Sequence, residues 1–370
     1  MQKVFRETQF SDFKLYIDSF NQDEIFFVVG SRSYKGSGAK QFIEESLSLT
    51  TRSVFSDFNP NPQLEDLEKG IELFTAGNYK LIIAIGGGSV LDMAKLISLM
   101  AHQTEKIKRI TQGQASILNK KTKLIAIPTT AGTGAEATAF AVLYIDKVKY
   151  SVASDFILPD SVYLSSDFSL SASPYLTACT GLDAFSQAIE SLWSVSSNQE
   201  SEKYALNAIE LVWNNLQAAV NKNNNKAKAL LQEAAFLAGK AINITKTTAP
   251  HAFSYAFTSY YDIPHGHAVC LSLPFFLDYN YALQDSNCMD ERGAKDVKER
   301  IEKIFRIIGA DKNNANKILT SFFTSIDVNI NISTLIDQFN PDLIIRNVNL
   351  ERLKNNPREI KEEDIRHFLN

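Results

Sequence analysis

Histidines are scarce in this chain of 370 residues, and three of the five fall between His251 and His267. His251 and Tyr255 are four positions apart, so a helix would place them on one face. Pro264 interrupts regular structure just before His265, so a helix and the loop after it would aim two imidazoles at one point. Imidazole nitrogens bind zinc, iron, copper and nickel. The cluster predicts a metal site, and the alternative is two unrelated polar histidines.

A second polar cluster lies upstream, where Asp183 and Gln187 are also four positions apart. One helix face would present a carboxylate and an amide together. With His251 and His265 they make two nitrogen and two oxygen ligands, a set that suits zinc or ferrous iron. The alternative is that Asp183 lies in the first turn of a helix and interacts favourably with the positive end of the helix dipole.

Glycines follow a strand-like apolar run that begins at Leu81. The run passes through Gly86, Gly87 and Gly88 into Ser89 and a helical pattern. A strand, a glycine turn and a helix N-terminus together present backbone N–H groups to an anion such as a pyrophosphate. The alternative is a tight turn between a strand and a helix that binds no ligand.

A second glycine-bearing turn follows the apolar run that starts at Leu124. It contains Thr129, Thr130, Gly132 and Gly134. Because ligands of open α/β sheets bind beyond the carboxyl ends of the strands, both turns are expected at one cofactor. The alternative for the threonines is local capping of a helix, which leaves the two glycines unexplained.

Apolar runs and helical patterns alternate through residues 1–170, and the strand-like runs lie at Ile25–Gly30, Leu81–Gly86 and Leu124–Pro128. This alternation predicts a doubly wound, Rossmann-like parallel sheet. Residues 171–370 carry long helical periodicities and predict an all-helical second domain. The charged segment from Asn355 to Arg366 predicts a solvated terminal helix. The fold class is therefore an α/β domain followed by an all-α domain.

Charge and composition argue against a nucleic-acid-binding protein, a membrane-spanning protein and a disulfide-stabilised one. The net charge of −4 and a pI near 5.8 give no basic surface for nucleic acid. The sequence has no apolar run long enough for a membrane span and no secretory leader pattern, so a cytoplasmic location is expected. The odd number of cysteines, three, favours reduced thiols over a disulfide framework.

With these motifs the chain resembles the iron-containing (group III) alcohol dehydrogenase family, within the superfamily that includes dehydroquinate synthase and glycerol dehydrogenase. The family's GGGSxxDxAK matches Gly86–Lys95 and its PTTxGTGSE matches Pro128–Glu136, with Ala135 in place of serine. Its PHG matches Pro264–Gly266, and an Asn-Pro pair stands at 61–62. The resemblance spans nearly the whole chain and implies a dehydroquinate synthase-like fold.

The resemblance also implies a nicotinamide cofactor, NADH or NADPH, and a homodimer. The implied cofactor-binding residues are Gly86, Gly87, Gly88, Ser89, Asp92, Thr129, Thr130, Thr133 and Lys149. Many NAD-specific relatives carry an aspartate near position 31 that binds the ribose hydroxyl. Ser31 is uncharged here and Arg32 could pair with a 2′-phosphate, so we expect NADPH to be accepted and even preferred.

The family's metal ligands imply Asp183, His251 and His265 as ligands in this chain, with Gln187 at a position where the family has histidine. An amide oxygen is a poorer donor than imidazole, so the metal, Fe²⁺ or Zn²⁺, is left open. Tyr255 replaces a histidine that acts in a proton relay in many relatives. A phenol can also donate a proton, so Tyr255 and the ligand His265 are the predicted catalytic residues.

Both substitutions, together with residues 247–251 and 263–269, look most like the phosphonoacetaldehyde reductase branch of the family. The resemblance implies reduction of phosphonoacetaldehyde to 2-hydroxyethylphosphonate. The candidate partners of the phosphonate are Lys246, Thr247 and His267, with a solvated surface lysine as the alternative for Lys246. Two other functions stay open: a dehydrogenase of the same family acting on plain small aldehydes or diols, and a nucleotide-binding protein that has lost metal and catalysis.

Overall fold

The computed structural model describes residues 2–118, 121–146, 148–348 and 350–369. The chain divides into two compact units, residues 1–172 and 173–370. The strands belong to the first unit and long helices dominate the second, so the predicted fold class is confirmed. Among the described residues, no helix combines the length and the apolar character that a bilayer span requires.

The strands of the described residues are, in chain order, β1 (Lys3–Arg6), β2 (Ile25–Val29), β3 (Val54–Phe55), β4 (Leu81–Gly86), β5 (Lys123–Pro128), β6 (Phe140–Ile145), β7 (Val148–Ala153) and β8 (Ser161–Leu164). The α-helices of the first unit are α1 (Phe10–Asp18), α2 (Ser33–Gly36), α3 (Ala39–Gln41), α4 (Leu64–Thr75), α5 (Gly88–Met100) and α6 (Ile107–Thr111). The α-helices of the second unit are α7 (Pro174–Trp193), α8 (Gln199–Asn221), α9 (Asn225–Thr245), α10 (Ala249–Tyr261), α11 (His265–Cys270), α12 (Leu273–Tyr281), α13 (Ala294–Ile308), α14 (Ala315–Thr324), α15 (Ile332–Leu335), α16 (Pro341–Asn347), α17 (Leu350–Lys354) and α18 (Glu362–Leu369).

Within the described residues, the main sheet has the strand order β1-β8-β5-β4-β2-β3, and all its pairings are parallel. From β2 the chain continues outward to β3 on one side, and from β4 it continues to β5 and β8 on the other. The strand order therefore reverses between β2 and β4, the position at which open α/β sheets bind ligands. β6 and β7 form a separate antiparallel hairpin.

Continuous apolar runs explain the central strands. Every residue of β2 and β4 is buried, as expected for strands covered on both faces. In the first unit, Phe13 of α1 stacks on Tyr163 of β8, with ring centroids 4.3 Å apart. Helix α5 is buried along most of its length, so its first residues are held rigidly at the end of β4.

Helix α7 is the central element of the second unit and packs against α8, α9 and α11. It begins where the Ser173 side chain accepts a hydrogen bond from the Leu176 N–H, and Pro174 opens its first turn. At the far end, the buried guanidinium of Arg300 donates to the carbonyls of Leu192 and Ser194. Both ends of this helix are thus fixed, and so are the side chains along it.

The predicted terminal helix over residues 355–366 is wrong in its bounds. Helix α17 ends at Lys354 and α18 begins only at Glu362. Between them, Asn356 is fully buried and exchanges side-chain hydrogen bonds with Asn280. Pro357 follows and cannot donate the backbone hydrogen bond that a helix would need. A buried polar pair and a proline therefore replace the helix expected from the charged composition.

Candidate active site

The reversal of strand order in the first unit opens onto a cleft of about 570 Å³. The end of β2 contributes Ser31 and Arg32, and the turn after β4 contributes Gly87, Gly88 and Ser89. Paired positions in the sheet bring the two strand ends side by side, because Val29 lies opposite Ile85. Of the residues predicted to bind the cofactor, these five line the cleft.

The two glycine turns contact each other. Gly86 lies opposite Pro128 in the β4–β5 pairing, so the turns leave neighbouring strands at the same level. A Cβ on Gly88 would approach Thr133 to 2.8 Å, and a Cβ on Gly87 would stand 3.3 Å from Thr130. A Cβ at position 88 would require the Thr133 side chain to shift, which accounts for a glycine at this position.

The Asn61-Pro62 pair fastens the first turn to the β6–β7 hairpin. The Asn61 N–H donates to Ser89 Oγ over 3.1 Å, with Asn61 in a left-handed conformation. The Pro62 carbonyl accepts from the Tyr144 N–H over 2.8 Å. Ser89 therefore has a structural contact in addition to its place in the cleft.

The polar atoms of this region fit a nucleotide phosphate. Helix α5 starts at Gly88, and the N–H groups of a helix's first turn point along its axis, out of the N-terminus, where they can bind an anion. Thr129 is 4% exposed, and its Oγ1 has no hydrogen-bond partner among the described residues. A buried hydroxyl without a partner costs free energy unless a ligand or water satisfies it.

Asp92 and Lys149 lie apart from the cleft lining. Asp92 Oδ2 accepts from the Val142 N–H over 3.0 Å, and its other oxygen is 3.8 Å from Lys95 Nζ. Burial raises the pKa of Asp92, while the charges of Lys95 and Lys149 oppose that rise. Asp92 therefore anchors β6 to α5, and a cofactor contact by Asp92 or Lys149 stays a prediction.

A buried carboxyl group, Glu136, follows the second glycine turn near the buried Lys95. Glu136 is 1% exposed, and its Oε1 has no hydrogen-bond partner in the described part of the chain. Burial raises the pKa of Glu136 from 4.5 to about 7, although Lys95 opposes the shift. The folded protein therefore holds this proton more tightly than the unfolded chain does.

This buried proton predicts a loss of stability with rising pH. Stabilisation present below pH 4.5 is lost as the pH rises through about 7, and the shift corresponds to roughly 3 kcal/mol. A Glu136→Gln variant is expected to remove this pH dependence. Urea unfolding of both proteins between pH 5 and 8 measures the difference. Parallel pH profiles for the two proteins would contradict the prediction.

In the second unit, helices α7, α10 and α11 bring the predicted metal ligands together. Asp183 is the tenth residue of α7, which excludes the alternative that it lies in the first turn of a helix and interacts with the helix dipole. His251 lies in the first turn of α10 and His265 is the first residue of α11. Asp183 and His251 are buried, while the side chain of His265 is 35% exposed.

The spacing of these side chains fits one divalent ion. His251 Nε2 lies 3.2 Å from Asp183 Oδ1, and His265 Nε2 lies 3.9 Å from the same oxygen. One ligand atom from each residue falls within 4.8 Å of the others. Ligands of a tetrahedral ion at about 2.1 Å are separated by about 3.4 Å, so small movements would complete the shell. Gln187, one turn along α7, hydrogen-bonds the Asp183 carboxylate.

The electrostatics of this pocket favour a cation. Burial raises the pKa of Asp183, but hydrogen bonds and charge from His251, His265 and Gln187 outweigh it and hold that pKa below its usual value. Burial lowers the pKa of His251, but Glu190 and Asp183 reverse this and raise the pKa to about 10. Two buried carboxylates around one imidazole thus create a place where positive charge is stabilised.

Gly266 explains how α11 can reach α7. A Cβ at this position would stand 1.9 Å from the backbone oxygen of Cys179 and 3.1 Å from Asp183 Cβ. The backbone of α7 cannot move aside as a flexible side chain could. The absence of a side chain at Gly266 therefore lets His265 lie beside Asp183.

Tyr255 and Ser254 also lie beside His265. The Tyr255 ring stacks on the His265 ring, with centroids 5.7 Å apart and planes inclined by 4°. Ser254 Oγ lies 3.4 Å from His265 Nδ1 and donates to the His251 carbonyl over 2.8 Å. Tyr255 is thus in direct contact with a candidate ligand, and its role as a proton donor stays a prediction.

The predicted phosphonate partners are placed less favourably. The ring nitrogens of the buried His267 lie within hydrogen-bond distance of Tyr175 Oη and the Asn329 carbonyl, so both are occupied inside the fold. Thr247 is buried, and its carbonyl accepts from Asn355. Lys246 has a left-handed φ and its Nζ lies 3.4 Å from the Asn243 carbonyl. His267 therefore has a structural role and offers no free ring nitrogen to a phosphonate. Anion binding by Lys246 and Thr247 stays a prediction.

Glu190 is the residue of this site whose role sequence reasoning missed. Its Oε1 lies 2.6 Å from His251 Nδ1, on the side of the ring opposite Asp183. The signal was its spacing, because residues 183, 187 and 190 recur on one helix face. A carboxylate on the apolar face of a buried helix needs a partner, and here that partner is a candidate ligand.

Family profiles match both units of the chain. The profile described as "Iron-containing alcohol dehydrogenase" matches residues 2–166. The profile described as "Fe-containing alcohol dehydrogenase family, C-terminal" matches residues 177–370. Together the two matches leave out only the short connection between the units and the first residue.

Two curated relatives share about a third of their residues with this chain over the aligned region. Long-chain-alcohol dehydrogenase 1 of Geobacillus thermodenitrificans is 33% identical over 229 residues, which are 61% of this chain and 58% of that protein. Phosphonoacetaldehyde reductase of Streptomyces viridochromogenes is 29% identical over 296 residues, 78% of this chain and 74% of that protein.

Among solved structures, sulfoacetaldehyde reductase from Bifidobacterium kashiwanohense in complex with NAD⁺ superposes with a TM-score of 0.87 at 26% identity. The superposition covers 100% of this chain and 96% of that one. The family predicted from the glycine and histidine motifs is confirmed by the two profile matches. The chain belongs to the iron-containing alcohol dehydrogenase family, a family of NAD(P)-dependent alcohol dehydrogenases and aldehyde reductases.

Proposed function

We propose that this protein reduces a small aldehyde to a primary alcohol with NADPH or NADH, and that phosphonoacetaldehyde is its substrate. The observation that supports the proposal is the convergence of ligand atoms from Asp183, His251 and His265 within 4.8 Å of one another, with Asp183 and His251 buried. Gln187 or water would complete the shell of a divalent ion, Fe²⁺ or Zn²⁺. The amide oxygen that Gln187 offers in place of imidazole leaves the choice between the two ions to experiment.

The reaction consumes one aldehyde, one reduced nicotinamide and one proton, and it yields the alcohol and the oxidised cofactor. When bound, a divalent ion polarises a carbonyl as a Lewis acid, and the nicotinamide supplies the hydride. Asp183, His251 and His265 would hold the ion, and Tyr255, which stacks on His265, would supply the proton to the alcohol oxygen directly or through water.

The remaining assignments concern the cofactor and the assembly. We assign the phosphates to the turn of Gly86, Gly87, Gly88 and Ser89, where the helix N-terminus favours negative charge. Contacts to the rest of the cofactor are assigned to Ser31, Arg32, Asp92, Thr129, Thr130, Thr133 and Lys149. The protein acts as a cytoplasmic homodimer in this proposal, as sequence resemblance suggests.

The choice of substrate is supported by two relatives. The Streptomyces relative is a phosphonoacetaldehyde reductase, and the Bifidobacterium structure is a sulfoacetaldehyde reductase. Both names describe a two-carbon aldehyde that ends in an oxyanion, so an anionic head group is the shared chemistry. Lys246 and Thr247 are our candidate partners for that anion in this chain.

A substrate and metal panel tests the proposal. NADPH and NADH consumption is measured with phosphonoacetaldehyde, sulfoacetaldehyde, propanal and lactaldehyde, before and after chelation and with Fe²⁺ or Zn²⁺ restored. We expect rapid, metal-dependent turnover of phosphonoacetaldehyde. Preference for propanal or lactaldehyde would support the second candidate, a general small-aldehyde dehydrogenase. Lack of turnover with every substrate and metal would favour a nucleotide-binding protein without catalysis.

Arg32 is expected to favour NADPH. It is exposed at the rim of the cleft after β2, and the residue beside it, Ser31, carries no charge that would repel a 2′-phosphate. One guanidinium–phosphate contact is worth about 1.4 kcal/mol or more, which is about tenfold in affinity. An Arg32→Ala variant should therefore raise the KM for NADPH about tenfold and leave the KM for NADH unchanged.

The matched control is Lys35→Ala, which removes an exposed cation from the neighbouring helix α2. This variant should leave both Michaelis constants within about twofold, because an exposed charge outside the contact is screened. An equal change in the KM values of NADPH and NADH on replacing Arg32 would contradict the assignment of the 2′-phosphate.

A further inference from the structure

Glu190 is fully buried, and both oxygens of its carboxylate accept hydrogen bonds. Its Oε1 lies 2.6 Å from His251 Nδ1. Its Oε2 accepts from the Thr248 N–H over 2.5 Å and from the Thr248 hydroxyl over 3.0 Å. A carboxylate buried to this degree is costly unless its oxygens are satisfied, and these three contacts satisfy them.

The direction of the Thr248 hydroxyl is set by a further donor. Trp193 Nε1, which can only donate, lies 2.8 Å from Thr248 Oγ1. The Thr248 oxygen therefore accepts from the indole, and its own proton points to Glu190 Oε2. With both oxygens of Glu190 acting as acceptors, His251 Nδ1 must carry a hydrogen. His251 Nε2 is then the nitrogen that faces Asp183, 3.2 Å away.

The backbone that carries Thr248 is fixed from outside the pocket. Asn355 Nδ2 donates to the carbonyls of Thr245 and Thr247, over 2.8 and 3.0 Å. Asn355 Oδ1 accepts from Ser194 Oγ at the end of α7. This network joins the turn before α10 to the helix that bears Asp183 and Glu190. The position of Thr248, and through Glu190 that of the His251 ring, is therefore determined by buried polar contacts.

We propose that Glu190 is a positioning residue that fixes the ring and the tautomer of His251 so that Nε2 is presented to a metal ion beside Asp183. This proposal rests on the metal site of the proposed function. Carboxylates behind ligating histidines raise ligand basicity, and their loss costs about 10- to 100-fold in metal affinity. Glu190 acts through His251, whose ring lies between Glu190 and Asp183.

A Glu190→Gln variant tests the proposal because it preserves shape and changes the hydrogen-bonding pattern. Glutamine has one acceptor oxygen and one donor amide, whereas three donors converge on Glu190. If the glutamine NH₂ group faces Thr248, it meets the Thr248 N–H, and two donors face each other. If the NH₂ group faces His251, Nδ1 must act as an acceptor, so Nε2 carries the hydrogen. The affinity for Zn²⁺, measured without substrate against a chromophoric chelator, is expected to fall about 10- to 100-fold.

The control is Glu210→Gln, which changes an exposed carboxylate on α8 and should leave the Zn²⁺ affinity unchanged. A second pair of variants covers the case in which Glu190→Gln does not fold. Thr248→Ser keeps the hydroxyl that donates to Glu190, and Thr248→Val removes it at similar volume. The valine variant should bind Zn²⁺ more weakly than the serine variant.

The ¹⁵N chemical shifts of His251 in the Zn²⁺-loaded protein report the tautomer directly. We expect hydrogen on Nδ1 in the unsubstituted protein. Hydrogen on Nε2, or a folded Glu190→Gln variant with unchanged Zn²⁺ affinity, overturns the positioning role while the proposed function stands. A protein without substitutions that binds neither Zn²⁺ nor Fe²⁺ would instead overturn the metal-dependent function, and this proposal with it.

Discussion

An Asp183→Asn variant is expected to lose its metal and its activity together. Asp183 lies at the centre of the cluster, since its Oδ1 is within 3.9 Å of ring nitrogens from both His251 and His265. Asparagine keeps the shape but removes the negative charge that the pocket supplies to the ion. Lewis-acid stabilisation is worth several kcal/mol, so turnover should fall about a thousandfold or more.

Metal content per chain, measured by mass spectrometry after gel filtration, checks this expectation alongside activity. The control is Asp12→Asn, which alters an exposed carboxylate on α1 in the other unit. The melting temperature should be recorded as well, because breaking the buried Asp183–His251 pair also affects stability. A folded Asp183→Asn protein that retained full metal content would contradict the ligand assignment.

A Gly266→Ala variant is expected to disrupt the same site without changing any ligand. The added methyl group would overlap the Cys179 backbone oxygen, at 1.9 Å, so α11 must move away from α7. Overpacking of this kind costs about 3 kcal/mol, and displacement of His265 by about 1 Å would reduce turnover about a hundredfold. Metal affinity should fall in parallel, because His265 leaves Asp183.

The matched control is Gly36→Ala. Gly36 lies in helix α2, and a Cβ there would meet nothing within 4 Å. The control variant should retain metal, activity and stability. Unfolding curves and metal titrations of both variants check the prediction. A Gly266→Ala protein as stable and as tightly metal-binding as the Gly36→Ala protein would show that α7 and α11 pack less closely than the structure indicates.

The glycine turns could be located from sequence because their function depends on local chemistry. The apolar run of β4 leads directly into Gly86, Gly87 and Gly88, so strand, turn and helix are contiguous in the chain. The ligand candidates could be located because histidine is rare here and because helical spacing pairs Asp183 with Gln187. In both cases a short segment contained the whole pattern.

The roles of Glu190 and Gly266 could not be predicted from the sequence, because these roles arise from contacts between distant segments. Glu190 meets Thr248 and His251, about sixty residues later in the chain. Gly266 matters because of the backbone of Cys179. The terminal segment was misjudged for the same reason, since the burial of Asn356 against Asn280 outweighs the charged composition around it. Composition predicts exposure only where tertiary partners are absent.

The two candidate sites of this protein come from separate segments of its chain. Among the described residues, the lining of the candidate nucleotide cleft comes from positions 30–90, and the candidate metal ligands come from positions 183–265. The candidate ligands, and the glutamine at position 187 beside them, lie outside the segment that supplies the cleft lining. A substitution at one of these candidate ligands therefore changes no residue that lines the cleft.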